Sequence, residues 1–322
     1  MSLVRAWLMI AALLALPMAA QARGLEKAVA ATGATGTLKG VMLTPSDVER
    51  PPVVLIVPGS GPTDKDGNNA LGATAASYRL LAEALVDQGV ASVRIDKRGM
   101  FDSAGAAADP NAVTIADYAR DVEAWAQALK PVTEAPCIWV LGHSEGALVA
   151  SAAAAERSDD ICGLILVAGP GRPLGQVLRE QLKANPANAP LLDAAFEAIA
   201  KLERREPVDV AALPAPLQVL FLPAVQPFLM DLMSYDPPEL LKRYRGPVLV
   251  IQGENDLQIS MADAERLAAA RPGVKLVKVK GMNHVLKEAP AERAGNFATY
   301  RDPLKPVAAR AVEAIVDFVR GS

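Results

Sequence analysis

Histidine and cysteine are scarce in this chain, two of each among 322 residues. Zinc sites need three or four such ligands at short spacings, and Cys137 and Cys162 have no His at those spacings. Metal catalysis is therefore a poor expectation, and no cofactor is implied. Aromatic residues make up only 4% of the chain, so its core must be built from Ala, Val and Leu. An excess of positive charge is also missing: 33 basic residues stand against 36 acidic ones. A nucleic-acid partner would require clustered Lys and Arg, so none is expected. The balance suits a small or uncharged partner.

Long apolar runs are missing too, except at the start. Arg5 precedes an apolar stretch, Ala6 to Ala15, that Pro17 interrupts, and Ala20-Gln21-Ala22 offers small residues for cleavage. The stretch is too short for a membrane span and reads as a signal peptide over 1–22. No Cys follows it, which argues against a lipid anchor. The expectation is a periplasmic or secreted chain beginning at Arg23, with no later membrane span. In such an oxidising compartment Cys137 and Cys162, each opening a predicted strand, could pair or stay free.

What is present is an alternation of strands and helices. The stretch 36–44 reads as an early strand, and Val53 to Val57 is a β-branched run suited to a strand buried on both faces. Helix-like spacing over 74–88 leads to a strand over 91–95. A helix over 117–129, a strand over 137–141, a helix over 146–156 and a strand over 161–167 follow. Alternation of this kind predicts βαβ units and a mostly parallel sheet with helices on both faces. Between 171 and 245 the rhythm breaks into proline-rich helical pieces, read as an inserted cap. The sheet domain is then 23–170 plus 246–322, with a strand at 248–251, a helix at 261–270, a strand at 274–279 and a helix at 306–319.

The strand over 137–141 runs into Gly142-His143-Ser144-Glu145-Gly146, and a helix follows at once. G-x-S-x-G between strand and helix puts a serine on a sharp turn where its hydroxyl projects from the sheet edge. A serine needs a base, and two histidines are available. His143 adjoins the serine on the turn and reads as a packing residue. His284, in the loop after the last strand, is the expected base. Glu254 and Asp256 both follow the strand over 248–251. The intervening residues let Asp256 turn back over the sheet edge, so it is the preferred acid and Glu254 the alternative.

The order Ser, Asp, His is that of one hydrolase architecture. Most of the chain after residue 22 resembles bacterial α/β-hydrolases grouped with serine aminopeptidase-like and carboxylesterase-like members. The resemblance rests on PGSGPTDKDGN (58–68), RIDKRG (94–99), LGHSEG (141–146), YDPPELLKRYRGPVLVIQGENDLQI (235–259) and GMNH (281–284). It implies the α/β-hydrolase fold, Ser144, Asp256 and His284 as catalytic residues, and an ester or acyl small molecule as substrate. An aminopeptidase acting on short peptides, or a thioester hydrolase, with the same triad is the alternative, and a non-catalytic binding protein on this fold is the alternative of another class. The Gly-rich loop 58–62 lacks the Gly-Lys-Ser/Thr of a phosphate loop. The resemblance makes it one side of an oxyanion hole, with Ser60 N–H the first choice and Gly61 N–H the second. Glu145 N–H is the other donor. Asp96 and Arg98 read as a structural ion pair or loop anchor. In the cap, Phe228 and Met233 are expected to line the substrate pocket.

Overall fold

A computed structural model describes residues 24–321, so the leader expected over 1–22 lies outside the described residues. Eight strands form one sheet: β1 (Gly24–Thr32), β2 (Thr37–Pro45), β3 (Val53–Val57), β4 (Ala91–Ile95), β5 (Ile138–His143), β6 (Ile161–Val167), β7 (Val248–Gly253) and β8 (Val274–Val279). Their order across the sheet is β1-β2-β4-β3-β5-β6-β7-β8. β2 is antiparallel to both its neighbours, and every other adjacent pair is parallel. β3 is a continuous apolar run, and β4 is buried along its whole length, because helices cover both faces.

α1 (Ser77–Asp87) and α11 (Ala309–Arg320) close one face, where Leu81, Leu85, Ala311 and Ile315 meet Ile56, Leu141 and Ile251. α2 (Ile115–Thr133) and α3 (Glu145–Glu156) cover the other, packing Trp125, Leu129, Val149 and Ala153 on Leu55, Val140 and Leu166. α3 is nearly all Ala and other small residues, and ten of its twelve residues are buried. Small side chains let this helix lie close to the sheet and to α2.

Between β6 and β7 come α4 (Leu174–Lys183), α5 (Leu192–Glu203), α6 (Ala215–Gln218), α7 (Gln226–Met233) and α8 (Pro237–Arg243). Ala195, Ile199, Leu202, Leu217, Phe221 and Met233 form a core of their own. α8 differs: Leu240 and Leu241 pack into the sheet core, so α8 is the crossover helix and α4–α7 the excursion. The stretch Ala215–Met233 is long and apolar enough by composition to cross a membrane, which corrects the expectation that no later segment would be. In the fold Pro216, Pro223 and Pro227 divide it into α6, a 3-10 turn and α7. The remaining helices are α9 (Met261–Ala269), beside β7 and β8, and the short α10 (Arg293–Ala298).

Cys137 and Cys162 are bonded, with α-carbons 5.1 Å apart. A register shift makes this possible. Ile138 pairs with Ile161 and Trp139 with Gly163, which leaves Cys162 without a ladder partner and free to turn toward Cys137. The bridge closes a span of 25 residues. Loop-closure entropy for such a span is worth about 3 kcal/mol. Replacing both cysteines by Ala should lower unfolding free energy by about that amount in urea titrations while leaving kcat unchanged. A double variant of unaltered stability would assign the bridge no energetic role.

Candidate active site

β3 lies between β4 and β5, so the chain turns opposite ways from this point, and the carboxyl ends of β3 and β5 stand side by side. Loops diverging at such a switch point open a crevice. Val57 pairs with Gly142, so the loop after β3 starts beside the turn after β5. Beyond β6 along this edge, the loops after β7 and β8 carry Asp256 and His284.

Ser144 occupies the turn between β5 and α3 with φ 55 and ψ −122, a backbone conformation an L-residue rarely adopts. Its N–H donates to Val167 C=O at 3.0 Å, which holds the turn against β6. The flanking glycines are steric necessities. A Cβ at Gly142 would stand 2.1 Å from Gly146 O, and one at Gly146 would stand 2.3 Å from Val57 O. Seven non-glycine residues among those described have positive φ, but Ser144, with ψ −122, lies outside the left-handed helical region that Ala76 and Glu134 occupy.

His284 Nδ1 lies 2.9 Å from Asp256 Oδ2. The Asp256 side chain is 1% exposed, and its other oxygen accepts from the backbone N–H groups of Gln258 and Ile259 at 2.8 and 3.0 Å. Burial alone would raise this carboxyl, but His284 and these donors outweigh it and hold the pKa below the usual carboxylate range. Gln252, buried on β7, adds an Nε2–H donor to Asp256 Oδ2 at 3.1 Å. Glu254, the alternative acid, is exposed. The structure thus joins His284 to Asp256. Ser144 and His284 line one cavity, and among the described residues no hydrogen bond joins their side chains.

The loop carrying His284 is fixed at several points. Asn283 Nδ2 donates to Thr299 Oγ1 at 2.7 Å, and Ser77 Oγ donates to Val285 C=O at 2.8 Å. Lys287, wholly buried, donates to the carbonyls of Ala75 and Asp302, and burial lowers its pKa.

His143 does pack rather than react. Gly59 N–H donates to Tyr78 Oη at 3.0 Å, and Tyr78 Oη lies 2.8 Å from His143 Nδ1. His143 Nε2 lies 2.8 Å from His284 C=O. A carbonyl can only accept, so Nε2 carries the proton and Tyr78 donates to Nδ1. Burial, and then the neighbouring charge of His284, pushes the His143 pKa down to about 3. An unfolded His takes a proton near 6.5 and the folded chain resists until about 3. The contribution to stability is whole above the first value and is lost as pH falls toward the second. At pH ~4 the loss should be on the order of 3 kcal/mol. Urea unfolding at pH ~7 and ~4 checks this, and a His143→Gln variant should lose less on acidification than the parent. Equal losses would remove His143 from the account.

Ser60 and Glu145 both line a cavity with Ser144, and among the described residues neither backbone N–H has a recorded hydrogen bond. Asp96 and Arg98 do not pair with one another. Asp96 accepts from Lys65 N–H at 2.8 Å, while Arg98 binds Asp121. Both are loop anchors.

Two cavities meet at Ser144. One, of about 680 Å³, is lined by His284, Tyr78, Phe297, Tyr300 and Arg301 among others. The second, of about 230 Å³, lies under the inserted helices and is lined by Leu148, Leu174, Val177, Leu178, Leu232 and Tyr235 among others. Phe228 and Met233 line neither, which corrects the sequence expectation. Phe228 stacks edge-on against Tyr118 at 6.1 Å, and Met233 is buried in the core of the insertion. α7 is a short helix that turns Leu232 toward the site, and its neighbouring apolar positions go to packing. Gln258 borders both cavities and donates to Tyr300 Oη at 3.0 Å.

A mixed, mostly parallel sheet with a strained serine turn after a central strand, and an Asp–His pair two and three strands along, defines an α/β-hydrolase. The alpha/beta hydrolase family model matches residues 53–299, and the chain belongs to that family. Esterase EstD of Thermotoga maritima is 29% identical over 245 residues, which are 73% of this chain and 54% of that protein. The chain thus spans about half the length of this curated relative. Among solved structures, Est1E from Butyrivibrio proteoclasticus matches with TM-score 0.59 at 17% identity, covering 92% of this chain and 99% of that one. A thermophilic esterase from Thermogutta terrifontis matches with TM-score 0.56 at 21% identity, covering 92% and 98%. These two share the fold.

Proposed function

We propose that the chain is an exported serine hydrolase that cleaves carboxylic esters through an acyl-enzyme. The observation that carries this reading is the His284–Asp256 bond beside a strained Ser144 at the meeting point of two cavities. Ser144 Oγ attacks the ester carbonyl and forms a bond to its carbon as His284 Nε2 takes the hydroxyl proton. The N–H groups of Ser60 and Glu145 stabilise the tetrahedral oxyanion. His284 returns the proton to the leaving alcohol, and water then cleaves the acyl-serine by the same steps. Asp256 keeps the Nδ1 proton of His284 in place and stabilises the imidazolium. The leader pattern of residues 1–22 and the Cys137–Cys162 bridge support export, since disulfides persist in oxidising compartments.

The geometry also divides the substrate. The leaving oxygen must receive a proton from His284, so the alcohol belongs in the larger cavity, which His284 lines. The acyl group then occupies the smaller apolar cavity, which Glu145 lines and His284 does not. Among the described residues Arg301 is the sole Lys, Arg, Asp or Glu on the larger cavity, and Gly72 leaves room beside its guanidinium, where a Cβ would stand 3.3 Å from it.

An ester panel graded by acyl length, run beside aminoacyl amides, tests the reading. Short and medium acyl esters should be cleaved best and lauroyl esters poorly. Val177→Phe, which fills the acyl cavity, should shift the preference to shorter chains by about fourfold per methylene lost. Arg301→Gln should raise KM about fivefold for a carboxylated alcohol and leave a neutral one unchanged. A panel on which amides outrun all esters would overturn the ester reading.

A further inference from the structure

Lys97 lies two residues past the end of β4, and its side chain is 3% exposed. Its ammonium donates to Gly59 C=O at 2.8 Å and to Glu145 Oε1 at 3.1 Å. The Glu145 side chain is likewise 3% exposed. The Tyr118 ring covers the same ammonium at 5.2 Å. One buried cation thus holds two residues that are 86 positions apart, and they are the two that frame the oxyanion site.

The chemistry of the contact is specific. Gly59 C=O and Ser60 N–H are the two ends of one planar trans peptide, and they point in opposite directions. A donor that fixes the carbonyl from behind therefore fixes the aim of the N–H in front. It also polarises the peptide and strengthens Ser60 as a donor. On the other side, Glu145 folds its carboxylate inward onto Lys97. That pins the first residue of α3, whose own N–H is the second donor. A buried ion pair is weak support for stability, because desolvating both charges offsets their attraction. Its position behind both donors accounts for it better.

We propose that Lys97 is the positioning residue of the oxyanion hole, setting the aim of the Ser60 and Glu145 N–H groups through Gly59 C=O and the Glu145 carboxylate. This rests on the ester-hydrolase reading.

Two double variants test it, neither of which leaves a lone buried charge. In Lys97→Met/Glu145→Met no side-chain donor is left for Gly59 C=O. In Lys97→Gln/Glu145→Gln an amide donor takes the place of the ammonium. For the Met variant kcat should fall about 10- to 100-fold with KM within about twofold. Labelling of Ser144 by a fluorophosphonate, whose phosphoryl oxygen occupies the same hole, should slow by the same factor. The Gln variant should recover much of both losses. Equal losses in the two variants, or parental kcat in either, would overturn the proposal. Should the Met variant fail to fold, the Gln variant decides: slower labelling at unchanged KM supports the assignment, and parental labelling refutes it. No ester turnover by the parent protein would instead sink the hydrolase reading itself, so the two failures are distinct.

Discussion

Ser144→Ala should lower kcat by about 10⁴- to 10⁶-fold, and His284→Ala by a similar factor, with the double variant little worse than either. The non-additivity is the informative part. A serine hydroxyl without its base and a base without its serine leave the same residue of catalysis, namely binding and the oxyanion donors. Stability gives a second readout. Ser144 carries its strain at φ 55, which Ala keeps and Gly relieves. Ser144→Gly should therefore be as inactive as Ser144→Ala and more stable by about 1 kcal/mol. Such a pair of results would mark strain kept for chemistry. His143, pushed down to about 3, should add no ionisation to the rate profile between pH ~5 and ~8. Ester hydrolysis by purified protein, with thermal melts alongside, measures all of this. A Ser144→Ala protein retaining a tenth of parental kcat would move the nucleophile elsewhere.

Asp256→Asn should cost about 10⁴ in kcat, and Glu254→Gln less than about threefold. Asn can still occupy the site and accept from Gln258 and Ile259 N–H through its oxygen. Its amide then presents a donor to His284 Nδ1, where the carboxylate presented an acceptor. The imidazole must turn over its tautomer and loses the countercharge for its protonated form. Glu254 extends into solvent one residue past β7 and touches nothing in the site. Kinetics of the two variants on one ester separate them, and a reversed ranking would make Glu254 the acid.

The parts of this site legible in the sequence are those set by local chain geometry. G-x-S-x-G between an apolar strand and a helix can do little else than form the turn at Ser144, because a Cβ at Gly142 or Gly146 meets backbone within 2.3 Å. His284 and Asp256 were legible for a related reason: each lies in a loop that follows a strand ending at the same sheet edge. β1 was missed because its Ala-rich sequence is mostly exposed at the sheet edge and shows no apolar run. The contacts of Lys97 were illegible because they join segments 38 and 48 residues away. Nothing in RIDKRG says which of its charges turns inward. Phe228 and Met233 show the opposite failure. Apolar content announced burial, but only the orientation of α7 decides whether a side chain meets the cavity or the core. The bridge between Cys137 and Cys162 depended on a register shift that no composition reveals.

The chain crosses from β6 to β7 through α8, which packs on the sheet, while α4 to α7 leave the sheet and return. Polar links from the start of this excursion include Arg172 to Asp263 on α9 and Gln181 to Gln258 C=O in the loop after β7. The smaller cavity draws much of its wall from the excursion, while Ser144, Asp256 and His284 lie outside α4 to α7. Appetite and chemistry are thus written in separate stretches of chain. On the proposed function, drift or grafting between about 174 and 234 should retune what is eaten without disturbing how it is digested, letting the two evolve on separate clocks.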